Sequence, residues 1–305
     1  MWAYVIKRIM HGAGVLFAVA TLTFIIMHAV PGGPFDGDKK LPPEIIANIE
    51  AKYHLDRPLP VQYGLYLKGL LQGELGPSYK YLGRDVADIL RDTFPVSLTL
   101  GLAAVLVVIG LGIPAGIISA YRPHSLLDRS AVFFATLGIS VPSFVLGTVL
   151  VWGLSHKLGW LPPALWEGPR HVLMPAIALG AGYAGYIARL TRTTVLDVLA
   201  SGYIRTARAK GLTETEILLN HVLKNSLYPV VSVLGPLLAG LVTGSFVIEF
   251  IFSVPGMGNF FITAVTNRDY PLIMGVTLVY AVLIVIAHIL VDLLYGWMDP
   301  RVRVH

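Results

Sequence analysis

The residues that could catalyse a reaction or hold a cofactor are few and scattered in this 305-residue chain. The sequence has no cysteine, so neither a disulfide nor a cysteine-based metal site can form. Its nine histidines follow no ligand spacing, and neither an H-E-x-x-H helix nor a G-x-x-x-x-G-K-S/T loop occurs. We therefore expect no catalytic residues, no metal site and no cofactor bound by the chain itself.

One glycine-rich stretch, "GAGYAG", matches the G-x-G-x-x-G fingerprint of dinucleotide-binding folds through Gly180, Gly182 and Gly185. The fingerprint requires a preceding strand and a following helix in a soluble unit, whereas this stretch lies inside a long apolar run. We therefore interpret these glycines as positions where two helices pack closely. The same close approach is predicted by two G-x-x-x-G pairs, Gly112 with Gly116 and Gly240 with Gly244.

Acidic residues inside the apolar runs are limited to Glu249 and Asp292. Charge within a bilayer is costly and often marks function. Both residues lie close to the end of a run, where water could solvate them, so we expect structural roles. A transporter that acts alone on an ion gradient would place such a group nearer the middle of the membrane.

The most distinctive polar stretch is "YIRTARAKGLTETEILLNHVLKNSLYP", which covers residues 203–229. Ser201 can serve as the N-cap of a helix that carries Arg205 and Arg208 on one face. Tyr203 and Ala207 share another face, and the alanines keep that side thin enough to enter a groove.

A sharp corner is predicted directly after this basic helix. Gly211 can adopt the left-handed conformation that ends a helix, and Thr213 with Glu216 forms a T-x-x-E capping box that opens the next one. The stretch therefore predicts helix, corner and helix. Two interpretations remain open: a basic segment that only fixes topology and binds anionic lipid, or a surface that docks against a partner.

The elements that must position this stretch are runs long enough to cross a bilayer. The chain is 55% hydrophobic and only 13% charged, whereas a soluble domain is about 25% charged. Because about 20 apolar residues cross a membrane, six spans are predicted, at residues 9–30, 96–121, 131–154, 172–190, 226–252 and 272–295. The fourth helix is expected to continue to residue 199.

Lysine and arginine are distributed unevenly between the loops that these spans define. The two short loops on the side away from the termini hold only Lys157, Arg170 and Arg268. The positive-inside rule then predicts that both termini are cytoplasmic. The long segment at residues 31–94 lies outside, and its pattern predicts amphipathic helices over residues 42–55 and 83–95, the second ending at Pro95. Kinks are predicted at Pro114, Pro142, Pro175 and Pro236.

The order of these motifs resembles the permeases of binding-protein-dependent ABC importers. "YIRTARAKGL" is similar to their cytoplasmic EAA loop, whose glycine matches Gly211. The family's opening acid-alanine-alanine is replaced here by Arg205, Thr206 and Ala207, as in its peptide and nickel branch. Other stretches resemble the B-type subunit of oligopeptide permeases along nearly the whole chain, among them "LPPEIIANIEAKYHLDRPLPVQY", "VIEFIFSVPGMGNFF" and "VDLLYGWMDPR".

The resemblance implies an all-α membrane protein with six transmembrane helices, the type I ABC importer permease fold and an extracytoplasmic helical segment after the first span. Residues 1–94 would form the first span with that segment. Residues 95–298 would form the permease core, with the EAA coupling loop at about 201–225, and residues 299–305 a cytoplasmic tail.

The resemblance also implies a set of partners in a bacterial inner membrane. These are a related C-type permease as heterodimer partner, two cytoplasmic ATPase subunits that use ATP and magnesium, an extracytoplasmic peptide-binding protein, and the peptide itself. The lipid bilayer surrounds the chain, and no nucleic acid is expected. Permeases for dipeptides, nickel or another solute are the alternative within the family, and a stand-alone secondary transporter is the alternative outside it.

Two groups of site residues follow from the resemblance. Contact with an ATPase is expected from Tyr203, Arg205, Thr206, Ala207, Arg208, Ala209, Lys210, Gly211 and Leu212. A peptide pathway is expected to be lined by Ser140, Ser143, Tyr183, Tyr186, Thr243, Ser245 and Glu249. Hydrogen bonds between buried helices explain polar residues of this second group equally well.

Overall fold

A computed structural model describes residues 2–35, 50–242 and 245–298. These residues form helices, and the β pairing among them is limited to an isolated bridge between Pro77 and Asp85. The helices are α1 (Trp2–Ala29), α2 (Leu59–Gln72), α3 (Val86–Tyr121), α4 (Leu126–Ser140), α5 (Ser143–Lys157), α6 (Pro169–Leu199), α7 (Gly202–Ala209), α8 (residues 214–242), α9 (Phe246–Ile251), α10 (Met257–Asn267) and α11 (Tyr270–Met298). Short π-helical segments occur in α3 (Val108–Gly112), α5 (Val151–Lys157) and α8 (Leu218–Val222).

Five of the described helices are long and apolar enough to cross a membrane, and six spans result when α4 and α5 count as one. The predicted number of spans is confirmed in that sense. The third span is not one straight helix, however, because the chain bends by 111° between α4 and α5. Val141 is extended at this break, since the residue before a proline is pushed out of the helical region, and Pro142 follows it.

The other prolines do not break their helices. Pro95 lies inside α3, so the predicted stop at this residue is wrong. Pro175 lies inside α6 and Pro236 inside α8, and both helices continue through them. The buried face continues past Pro95 with Leu100 and Ala104, both fully buried, and packing of this apolar face outweighs the loss of one backbone hydrogen bond.

The segment after α1 differs in part from the sequence expectation. The predicted helix over residues 42–55 lies mostly outside the described residues. Helix α2 was not predicted, although Pro58 and Pro60 at its start are typical of a helix N-terminus. The chain turns sharply after α2, where Gly73 has φ +77° and Gly76 has φ +82°.

The chain divides into two compact units that do not follow its order. The first unit contains Met1–Val96 with Pro255–Val285, and the second contains Ser97–Val254 with Ile286–His305. The sequence placed residues 255–285 in the permease core, whereas here they pack with the N-terminal part of the chain. Residues 299–305, expected as a tail, lie outside the described residues.

The first unit is held together by a buried carboxylate as well as by apolar packing. Asp269 is fully buried and accepts hydrogen bonds from the Ser78 hydroxyl, from the Tyr79 backbone N–H at 3.1 Å and from the Leu272 N–H at 3.4 Å. It therefore caps α11 and anchors the loop before α3 at the same time.

The second unit is built around α6, which packs against α3, α4, α5 and α8. Glycines allow two of these contacts to be close. A Cβ atom on Gly185 would lie 2.4 Å from the carbonyl oxygen of Ala135 in α4, and one on Gly116 would lie 2.5 Å from that of Ala188 in α6. No side chain fits at such distances, so the glycines set the spacing of the helices.

The fifth predicted span is divided into two elements. α8 is described to Val242, and the backbone becomes extended at Ser245 before α9 begins. Thr243 and Gly244 lie outside the described residues. The Ser245 side chain accepts a hydrogen bond from the Ile248 N–H at 3.4 Å and so caps α9.

Candidate functional site

The corner segment, residues 201–217, has the predicted helix, turn and helix. Gly211 has φ +81°, in the left-handed region, directly after α7. The Thr213 N–H donates to the Glu216 carboxylate at 2.8 Å, and the Glu216 N–H donates to the Thr213 hydroxyl at 3.3 Å. The capping box is therefore confirmed. Ser201 occupies the N-cap position, but its hydroxyl donates back to the Val198 carbonyl at 2.6 Å and does not cap the helix.

One face of α7 is buried in the chain's own core. Ile204 is fully buried and Ala207 is 6% exposed, and their cluster also contains Ala120, Val195, Ile217 and Val222. The expected alanine face is therefore corrected: Ala207 anchors α7, whereas Ala209 is exposed. Residues 204 and 207 point inward together because they lie three apart on the helix. Tyr203, expected beside Ala207, is 46% exposed.

The basic residues of the corner segment fall into two groups. Arg208 donates to the Glu214 carboxylate from Nε at 2.7 Å and from a terminal nitrogen at 3.3 Å, which joins α7 to α8 across the turn. Arg205 and Lys210 are exposed and form no ion pair with a residue that the structure describes. The free positive charge that α7 offers to its surroundings is therefore that of Arg205 and Lys210.

The remaining polar and apolar residues of α7 and the turn are also exposed. The Thr206 hydroxyl donates to the Gly202 carbonyl at 3.2 Å, and Leu212 is 36% exposed. Tyr203 accepts a hydrogen bond from the Asn225 amide at 3.2 Å. The outward face thus combines two cations, one aromatic ring and one leucine.

A cavity of about 620 Å³ lies among α4, α5, α6, α8 and the residue before α9. Four of the predicted pathway residues line it: Ser143, Tyr183, Tyr186 and Ser245. The rest of its lining is mostly apolar or glycine, with Pro142 at the break between α4 and α5. Among its described lining residues, the cavity therefore carries hydroxyl groups and no charged side chain.

Two other predicted pathway residues, Ser140 and Glu249, are not among the residues that line this cavity. Ser140 is exposed, and Thr243 lies outside the described residues. Glu249 is fully buried, so the expectation that water solvates it is wrong. The separate helix α9 turns its carboxylate into the second unit, which the pattern of one continuous span could not indicate. The side chain of Asp292 lies outside the described part of the chain.

The "GAGYAG" glycines are confirmed as packing positions. A Cβ on Gly180 would lie 2.9 Å from the carbonyl oxygen of Ala104, and one on Gly182 would lie 3.2 Å from that of Gly138. A Cβ on Gly240, in contrast, would meet only the Tyr183 hydroxyl, at an ordinary contact distance of 3.8 Å, and Gly240 lines the cavity. The predicted close approach is therefore not seen at Gly240, and its partner Gly244 lies outside the described residues.

A buried ionic network was missed by the sequence analysis. Asp128, 4% exposed, accepts hydrogen bonds from Arg192 at 2.8 and 3.0 Å, from the His124 N–H at 2.8 Å and from the Ser119 hydroxyl. It ties α3, α4 and α6 together, and its arginine lies nine residues before the corner segment. The capping pattern of Ser125 followed by Asp128 was the available signal, since the serine accepts from the Asp128 N–H at 3.2 Å.

The fold and these sites define a helical, multi-span membrane protein with an exposed corner at the end of its central helices. Two family descriptions match the chain: "Binding-prot-dependent transport system membrane comp, N-term" over residues 1–101, and "Binding-protein-dependent transport system inner membrane component" over residues 112–304. The chain belongs to this family of inner-membrane transport components. Members of the family are non-catalytic membrane subunits of transporters.

The chain is similar along its whole length to several curated relatives. It is 44% identical over 305 residues to the dipeptide transport system permease protein DppB of Bacillus subtilis (strain 168), covering 100% of this chain and 99% of that protein. It is 42% identical over 305 residues to the oligopeptide transport system permease protein OppB of Escherichia coli (strain K12), covering 99% and 100%.

Solved transporter structures share the fold at low identity. An inward-facing structure of the MetNI methionine ABC transporter matches with a TM-score of 0.54 and 18% identity, covering 69% of this chain and 96% of that one. An amino acid ABC transporter with histidines matches with a TM-score of 0.53 and 16% identity, covering 68% and 93%. These likenesses confirm the predicted ABC permease fold.

Proposed function

We propose that this chain is a transmembrane subunit of an ATP-driven importer of oligopeptides. Relatives named for dipeptide and oligopeptide transport match it from end to end, which supports a peptide substrate. The uncharged, hydroxyl-bearing cavity supports a pathway that tolerates varied side chains. A dipeptide permease remains the second candidate because of the similarity to DppB.

One observation carries the mechanism: the two helices that clamp the corner segment also line the cavity. α6 contributes Val195 to the buried cluster around α7 and Tyr186 to the cavity wall. Nine residues separate these positions, about 14 Å along a helix. α8 contributes Val222 to the same cluster and Val233 to the same wall. A displacement of α7 would therefore move α6 and α8, and with them the residues that line the cavity.

In this mechanism α7 docks in a groove of one cytoplasmic ATPase subunit. Arg205, Thr206, Ala209 and Lys210 form the contacting face, while Ile204 and Ala207 hold α7 to the membrane helices. Tyr203 and Leu212 lie at the edges of that face. Arg208 stabilises the corner through its ion pair with Glu214. When ATP closes the ATPase pair, α6 and α8 tilt and the cavity opens to the other side.

The proposal includes the other subunits of such an importer. A related C-type permease would complete the pathway, two ATPase subunits would bind ATP and magnesium, and a peptide-binding protein would deliver substrate to the extracytoplasmic side. Both termini are then cytoplasmic, in agreement with the bias of lysine and arginine. In this proposal ATP hydrolysis belongs to the ATPase subunits, which is consistent with a sequence that has no G-x-x-x-x-G-K-S/T loop.

A matched pair of cysteine substitutions tests the docking face. Because the natural chain has no cysteine, a single introduced thiol reports on one position. Ala209→Cys places the thiol on the exposed face, and Ala207→Cys places the same group two residues earlier in the buried cluster. In membranes with the assembled importer, a short thiol-reactive crosslinker should join Ala209→Cys to the ATPase and should leave Ala207→Cys unreacted.

The alternative interpretation of the basic segment is tested in the same membranes. If α7 only binds anionic lipid, Ala209→Cys should react with a maleimide-bearing lipid and form no product with the ATPase. That outcome would contradict the proposed coupling role. A change in the ATPase crosslink when ATP or vanadate is added would support the transmission of movement through α7.

A further inference from the structure

A second cavity, of about 320 Å³, lies wholly within the first unit and has no role in the mechanism above. It is formed by the end of α1, by residues 52–55, by α2 with the loop after it, and by the start of α11. Pockets for small ligands in proteins begin at about 300 Å³, so its size suits one small molecule. Its aromatic lining consists of Phe24, of Tyr53, Tyr66, Tyr79 and Tyr270, and of the histidines His28 and His54.

The aromatic residues form the floor of the pocket. Phe24 and Tyr270 are 6% and 5% exposed. The rings contact one another in a continuous series: Phe24 stacks on His28 at 4.1 Å between centroids, and His28 meets the edge of Tyr270 at 5.8 Å. Tyr53 and Tyr79 continue the wall, with centroids 4.6 Å apart. A flat apolar group would find ring faces and edges here, the geometry in which aromatic groups pair.

Two of the floor residues are phenols with raised pKa values. Burial raises the pKa of Tyr66 to about 12. Burial and the nearby Asp269 carboxylate raise the pKa of Tyr79 above its usual value. Both phenols therefore keep their protons at physiological pH. Charge complementarity must come from the mouth of the pocket.

The mouth carries one cation and one anion that are not paired with each other or with any described residue. Lys52 and Glu74 both line the pocket and both are exposed. The Lys52 ammonium lies 5.6 Å from the centre of the Tyr53 ring, at the edge of the aromatic wall. The Glu74 N–H donates to the Gly69 carbonyl at 2.8 Å, which fixes the loop that holds its carboxylate.

We propose that this pocket binds a small zwitterion: an amino acid or short peptide with both termini free and a flat apolar side chain. The Lys52 ammonium would hold the carboxylate, the Glu74 carboxylate would hold the ammonium, and the side chain would lie on the aromatic floor. A lipid acyl chain or a simple anion would use only half of this arrangement. The inference rests on the proposed function in that peptides are the substrates of the assembled transporter.

Equilibrium binding tests the pocket without any transport. The full chain in its assembled membrane complex, in lipid nanodiscs without ATP and without the peptide-binding protein, is titrated with the dipeptide phenylalanyl-alanine by calorimetry. N-acetylation or C-amidation of this probe should weaken binding at least about tenfold each, since each removes a hydrogen bond to a charged group.

Charge-removing variants assign each terminus to its partner. Glu74→Gln should weaken binding of the free probe at least about tenfold and leave binding of the acetylated probe unchanged. Lys52→Gln should also weaken binding of the free probe at least about tenfold and should leave binding of the amidated probe unchanged. The matched controls are Lys68→Gln and Asp56→Asn, which are exposed nearby and do not line the pocket. Both should bind the free probe like the natural chain.

Four results would overturn the inference. Equal affinity for free and blocked probes would remove the role of the two charges. Loss of binding in Tyr186→Leu would place the probe in the larger cavity of the second unit. Competition by phosphatidylethanolamine in the nanodisc would assign the pocket to a lipid headgroup. A complex that imports peptides normally but does not bind the probe would sink this inference and leave the proposed function standing.

Discussion

Substitution of Gly211 tests whether the corner's backbone conformation is what couples α7 to α8. The residue has φ +81°, and a Cβ added to it would meet no atom within 4 Å. The cost of a side chain is therefore conformational and not steric. The left-handed conformation costs an L-residue about 1–2 kcal/mol. Among the other residues, asparagine tolerates this conformation best and the β-branched valine least. We therefore expect Gly211→Asn to impair coupling least, Gly211→Ala to impair it more and Gly211→Val to impair it most.

The consequence for transport follows from the size of this penalty. Each 1.4 kcal/mol changes an equilibrium constant tenfold, so Gly211→Ala should make distorted corners about 5 to 30 times more populated relative to the native one. ATP-dependent peptide uptake in proteoliposomes should fall in the predicted order, and Gly211→Val should abolish most of it. The amount of chain in the membrane should not change, because the helices that cross it are untouched.

Gly202 supplies the matched control. It begins α7, is exposed, has an ordinary φ and would also accept a Cβ without a contact within 4 Å. Gly202→Ala should therefore leave uptake at the natural level. Normal uptake by Gly211→Val would refute the coupling argument. Equal damage from Gly202→Ala and Gly211→Ala would show that the left-handed conformation is not the cause.

Two further predictions concern the packing of the second unit. Gly185→Ala should lower the thermal unfolding temperature in detergent, because its Cβ would lie 2.4 Å from a carbonyl oxygen of α4 and overpacking costs about 1–3 kcal/mol. Gly153→Ala is the control, because Gly153 has open space around it, and it should leave the unfolding temperature unchanged. Equal decreases in unfolding temperature for the two variants would contradict this reasoning. Arg192→Gln should lower the free energy of unfolding by about 3–5 kcal/mol, because it leaves Asp128 buried without its cation. Arg189→Gln, at an exposed position on the same helix, should change it by no more than about 0.5 kcal/mol. Denaturant titrations measure both values, and similar losses would show that the network is not what joins the helices.

The local features of the corner segment could be predicted because each depends on a few neighbouring residues. Gly211 is free of the Cβ that makes a left-handed turn costly, and Thr213 and Glu216 are the residue types that satisfy the first N–H groups of a helix. The apolar runs could be counted for a similar reason, since the length needed to cross a bilayer is fixed by the helix rise.

The direction in which a side chain points was predicted less well than these local features. Ala207 was expected on a thin outward face, but burial of Ile204 and Ala207 together against Val195 and Ile217 decides the rotation of α7. Glu249 was expected in water, but the division between α8 and α9 buries it. Both outcomes depend on neighbours far away in the sequence.

The sequence alone determined that this chain is a helical membrane protein of about six spans, where its basic corner lies and which family it resembles, because these depend on composition, local conformation and motif order. Only the tertiary structure decided that the same two helices hold the corner and line the cavity, that Asp128 and Arg192 pair in the interior, and that Lys52 and Glu74 share the mouth of an aromatic pocket. These properties require residues distant in the chain to meet, and distance along the sequence does not specify which of them do.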